Sequence, residues 1–234
     1  MESNVVQLAV HEQLLAWFES HRRQVLWAAA LITAGAIGVG FFVWRNSEIE
    51  SDASAALSKL SARVGDPSVD AAAYLNVATI YPHTSAAARA LLIGGAMLFI
   101  DGKYPQARAQ FDRYLREYRD TPLASQALLG VAACLEMQGN TNDAVSAYRD
   151  IVEHHPSEPI VPQAKLALAR LYEAQNKWEQ ARDLYQALAR PGPYESISTL
   201  AAMKLKELIQ KHPELAQTGS ATTPGVPALK FSNP

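Results

Sequence analysis

Apolar positions in the stretch 128–156 recur with a helical period. Leu128, Val131, Ala132 and Leu135 fall at i, i+3, i+4 and i+7, which places them on one stripe of a helix. Gly139 follows, at a point where a helix end in the left-handed region costs least for a residue without Cβ. Ala144, Tyr148 and Ile151 then carry a second stripe, closed by Pro156. Neither helix is long enough to hold by itself in water, so both predict neighbours.

The neighbours are written in the same register. A step of 37 residues back finds Leu91, Gly94, Gly95, Leu98, Gly102, Ala107, Phe111 and Tyr114. The same step forward finds Leu168, Ala169, Tyr172, Asn176, Ala181, Tyr185, Leu188 and Pro193. Further back a weaker copy reads Leu57, Gly65, Tyr74, Val77 and Pro82, with Ser58 and Asp70 where small residues are expected. The column Gly65, Gly102, Gly139 and Asn176 holds residue types that tolerate positive φ, and predicts a tight turn in each copy. Ala107, Ala144 and Ala181 predict close approach of paired helices. The expected fold is all-α: a helical-hairpin solenoid over 46–212, with about four repeats and a capping helix over 197–211. Leu200, Met203, Leu205 and Leu208 are the candidate packing residues of that last helix, and Lys204, Lys206 and Lys211 its solvated face.

The flanks read differently. Residues 1–24 are a polar lead with Val5, Leu8, Leu15 and Phe18 on one helical face. Residues 25–44 then carry no charge, and at about 1.5 Å per residue they reach roughly 30 Å, the thickness of a bilayer core. With Trp27 and Trp44 near the ends, this predicts an uncleaved single transmembrane helix. Ala30, Ala34 and Gly38 form a ridge that faces either another helix or lipid. Arg22 and Arg23 before the stretch, against Arg45 after it, predict a cytoplasmic N-terminus and repeats on the far side. The tail 213–234 is rich in Pro, Thr, Ser and Gly and is expected to be disordered.

Composition narrows the function. The net charge over the 234 residues is −2, and the repeats by themselves show the same near-balance, so no basic face suggests nucleic acid. The single Cys134 lies on an apolar stripe, as a small buried hydrophobe would. Adjacent His154 and His155 diverge on a helix and do not form a metal pair. Arg108–Asp112, Asp112–Arg116 and Arg113–Glu117 are spaced as i,i+4 pairs on a solvated face. No nucleophile stands beside a base, and neither a cofactor nor a small-molecule substrate is expected. Binding to other proteins is what remains.

The repeated small–large pattern resembles the tetratricopeptide repeat, with its small residue at the eighth place, Ala at the twentieth and an aromatic four later. The resemblance implies a concave groove lined by the first helix of each repeat. Carried across, its residues are Arg89, Leu92, Ala96, Phe99 and Ile100, then Gln126, Leu129, Ala133, Glu136 and Met137, then Gln163, Leu166, Arg170, Glu173 and Ala174. Lys and Asn, which a carboxylate clamp would need, are missing there, so the groove is expected to take extended or helical segments. The alternative is that Leu92, Leu129 and Leu166 are buried by neighbouring helices.

The order of lead, apolar stretch and repeats, with Trp44-Arg-Asn46-Ser47 and Met203-Lys204-Leu205-Lys206, resembles the YfgM-type ancillary subunits of the bacterial SecYEG translocon. That resemblance implies a bacterial inner-membrane protein with a periplasmic scaffold. Its partners would be translocon subunits, periplasmic chaperones and unfolded clients. A structural adaptor for envelope assembly, docking folded proteins, is the alternative.

Overall fold

A computed structural model describes residues 2–63, 65–66 and 69–218, but not the side chains of residues 2–20, 22, 25, 28, 29, 217 and 218. The chain divides into a unit of residues 1–56 and a unit of residues 57–234.

The first unit is helical throughout its described length, as part of α1 (Glu2–Ser61). Here one expectation is corrected. Among the described residues no helix is long and apolar enough to cross a membrane, so the transmembrane helix expected over 25–44 is not supported. That stretch is no separate element but the middle of a 60-residue helix. Beyond Trp44 the helix continues through Arg45, Asn46, Glu48, Glu50 and Asp52, and within the stretch Thr33 and the small residues Ala34, Gly35, Gly38 and Gly40 dilute its apolar surface.

The second unit carries α2 (Ala71–Ile80), α3 (Ser85–Ile100), α4 (Tyr104–Glu117), α5 (Ala124–Met137), α6 (Thr141–His154), α7 (Val161–Ala174), α8 (Trp178–Leu188), α9 (Glu195–Lys211) and α10 (Leu215–Thr218). Each helix from α2 to α8 packs on the next, α3 also touches α5, α7 touches α9, and α10 touches α8. These contacts build a solenoid of hairpins.

The turn column explains the repeat. Gly65, Gly102, Gly139 and Asn176 have φ of 96°, 76°, 77° and 58°. After α3 the Lys103 N–H donates to the Leu98 carbonyl and the Gly102 N–H to that of Phe99. The same double closure joins Asn140 to Leu135 and Gly139 to Glu136, then Lys177 to Tyr172 and Asn176 to Glu173. This is the Schellman ending, which satisfies the last carbonyls of a helix and needs a left-handed residue. Where the second helices begin, Ala107, Ala144 and Ala181 are fully buried.

The weaker first copy departs for a visible reason. After Gly65 the chain does not enter a helix at once; Asp70 accepts from the Ala73 N–H at 2.9 Å and caps α2 instead. Asp70 is thus a cap rather than a misplaced small residue. In α9 the buried stripe is Ala201 and Leu208 with Leu205 partly covered, whereas Leu200 and Met203 are exposed. Those two expected packing residues point away from the core. Of the tail, the described part ends with α10, with Leu215 buried and its carbonyl 3.3 Å from the Arg182 guanidinium; residues 219–234 lie outside the described residues.

Candidate functional site: the groove of the first helices

Phe111 organises the upper part of the groove. Its buried ring lies between α3 and α5, and an added Cβ would come within 2.9 Å of it from Gly95 and 2.7 Å from Gly130. Two side-chain-free positions therefore let the ring reach the space between the first helices. Above it Leu92, Ala96, Phe99 and Ile100 of α3 face Gln126, Leu129, Gly130 and Ala133 of α5 around an open depression of about 300 Å³. Gln126 is the one polar residue in that lining. Phe99 also meets Tyr104 edge-on at 5.3 Å, which fixes its ring at the mouth.

The same two repeat positions change chemistry further along. Phe99 and Phe111 correspond to Glu136 and Tyr148, then to Glu173 and Tyr185. The Tyr148 hydroxyl donates to Glu136 at 2.8 Å, and that of Tyr185 to Glu173 at 3.1 Å. Burial first, and the adjacent carboxylate second, push both phenols well above their usual range, so they stay protonated and keep donating. Glu136 also accepts from Arg170 at 3.0 Å, bridging α5 to α7. An apolar groove in one repeat thus passes into a polar one in the next.

The expected groove residues divide accordingly. Leu92, Ala96, Phe99, Ile100, Gln126, Leu129 and Ala133 share the apolar depression. Arg170, Glu173 and Ala174 line a second hollow of about 360 Å³ with Trp178, Lys211 and His212. There Trp178 stacks on His212 at 4.3 Å. Glu136 is held in the bridge, Met137 and Gln163 are exposed, and Leu166 is partly covered at the edge of the core. Arg89 lies in a third cavity, near 400 Å³, with His83, Thr84, Tyr114, Tyr118 and Leu123 among its walls. Leu92, Leu129 and Leu166 are all half-buried, so neither full exposure nor full burial describes them.

Other expected features fall outside the groove. Arg113 pairs with Glu117 at 2.8 Å and Arg108 with Asp112 at 3.6 Å, while no ion pair joins Asp112 to Arg116 among the described residues. Arg113 also reaches the Ala78 carbonyl at 3.5 Å, so it ties α4 to α2 rather than only facing solvent. His154 meets Asp150 across one turn. Cys134 is fully buried, and burial pushes its thiol up to about 11.

Sequence reasoning missed Phe111 and Gly130 as part of the groove, because their place depends on the second helix and on the neighbouring repeat. The signal was present in the sequence: Gly130 stands where the adjacent copies carry Ile93 and Ala167.

Residues 99–159 and 138–196 match the family described as Tetratricopeptide repeat. The matches run from the end of α3 to the start of α9, and together with the hairpin solenoid they support a tetratricopeptide-repeat protein. Such repeats are protein-interaction scaffolds, and no enzyme family is indicated. No curated protein matches the chain.

Proposed function

We propose that this chain is a scaffold that binds polypeptide segments of partner proteins in the groove between α3 and α5. One observation carries the reading: Leu92, Phe99 and Leu129 stand half-exposed around the Phe111 ring, with Ile100 82 % exposed beside them. An open apolar strip with one polar rim residue suits side chains of an extended or helical segment. The finer form, a translocon subunit passing secreted polypeptides to chaperones, adds the order of the segments and the Met203–Lys206 quartet as its support. A membrane-spanning helix is not among its supports.

Photo-cross-linking tests the scaffold reading. A benzophenone side chain at position 99 is expected to cross-link reduced, carboxymethylated lactalbumin, a permanently unfolded chain, and the same probe at Gln186 on α8 is not. Equal yield at the two positions would contradict a groove. The adaptor reading draws on a separate observation, the exposed Leu200 and Met203 of α9. It predicts cross-links from position 203 to a folded partner instead.

A further inference from the structure

Two of the cavities described above lie along the same helices, with no lining residue in common. Arg89 lines the first and Leu92 the second, one turn apart on the same face of α3. Leu123 and Gln126 stand in the same relation where α5 begins, and α3 touches α5 directly. Together the two hollows trace a cleft along α3, Arg89 in the lining of one and Leu92 to Ile100 in that of the other.

Its two ends differ in charge. The far end is apolar, over Phe111. At the near end Arg89 is exposed and makes no ion pair among the described residues. Arg89 is the one permanently charged residue in the lining of that end, with His83 beside it, while Arg116, Glu117, Arg119 and Asp120 line a separate hollow. Glu117 is held by Arg113 at 2.8 Å and does not neutralise Arg89.

We infer that the cleft recognises an extended acidic–apolar segment of a partner protein, with one Asp or Glu side chain at Arg89 and an apolar side chain seated over Phe111. This rests on the scaffold reading and specifies its ligand. Charge complementarity selects the carboxylate, and the apolar lining selects the anchor. The spacing follows from geometry. Arg89 and Phe99 are separated by about 15 Å of helix, which an extended chain covers in roughly four to five residues.

The test is fluorescence polarisation with the full chain and an acetylated, amidated peptide Gly-Glu-Ser-Thr-Ser-Leu-Phe-Gly. Arg89→Glu is expected to weaken binding by about fivefold, the size of a rim charge pair reversed in sign, and added salt to weaken the wild type similarly. A peptide with Lys for Glu should regain that affinity on Arg89→Glu. Phe99→Ser should weaken both peptides. Unchanged binding on Arg89→Glu, with loss on Phe99→Ser, would overturn the acidic–apolar specificity and leave the scaffold reading standing. Binding that neither substitution alters would overturn both.

Discussion

A side chain added at Gly139 meets nothing within 4 Å, so only its φ of 77° resists substitution. Gly139→Val should cost about 1–3 kcal/mol, because a β-branched residue tolerates the left-handed region poorly. Gly139→Asn should be nearly neutral, since Asn176 already fills the equivalent turn at 58°. Urea unfolding of the two variants checks the difference. Gly130 fails in another way, by collision with the wedged Phe111 ring at 2.7 Å. Gly130→Ala should cost about 1–3 kcal/mol through overpacking, and Phe111→Leu should relieve part of it in the double variant. Only the first kind of glycine was legible, because turn chemistry is local whereas the wedge needs three helices at once. His83, at φ 64°, went unread for the same reason: its N–H donates to the Tyr118 hydroxyl of the next repeat.

The hairpin is the unit in which sequence and structure agree most closely. Helix stripes, turn positions and the Ala107, Ala144 and Ala181 contacts all follow from a period that repeats within each copy. Register within the capping helix was harder to read. Leu200 and Met203 look like packing residues by composition, yet among the described residues α9 packs on α8 and α7 and buries Ala201 and Leu208 against them. Charge was also legible only in part, since Arg113 divides its donors between Glu117 and a backbone carbonyl in another helix. The paired Tyr148–Glu136 and Tyr185–Glu173 bonds join the two helices of their hairpins. Both phenols are raised, so the folded chain holds these protons more tightly than the unfolded one. Their contribution is complete below about pH 10, the unperturbed tyrosine value, and is lost as pH rises above it. Absorbance at alkaline pH should show Tyr148 and Tyr185 ionising only as the chain unfolds. Their ionisation together with the exposed tyrosines would contradict those bonds. Cys134 gives a parallel readout: with its thiol raised to about 11, it should resist a disulfide reagent at pH 8 until denaturant is added.

At the scale of the whole molecule, repetition has been kept in the scaffold and broken in the groove. The Phe99–Phe111 pair gives one repeat an apolar mouth, where the next two carry Glu and Tyr in the same places. That substitution concentrates apolar contact between α3 and α5. The long α1 contributes a described run, Ala30–Trp44, whose large apolar side chains are exposed. Hydropathy read over 25–44 predicted more than the described helix supports, because a count of uncharged residues weighs Gly, Ala and Thr the same as large apolar side chains. The central claim is that the apolar depression binds polypeptide, and Leu92 is its most direct probe, being half-buried in the lining. The decisive measurement is the affinity of full-length Leu92→Ser for unfolded carboxymethylated lactalbumin, taken well below its melting temperature. The groove reading predicts a loss of about tenfold, roughly 1.4 kcal/mol, while the chain remains folded by circular dichroism. An affinity equal to that of the unsubstituted chain would contradict it.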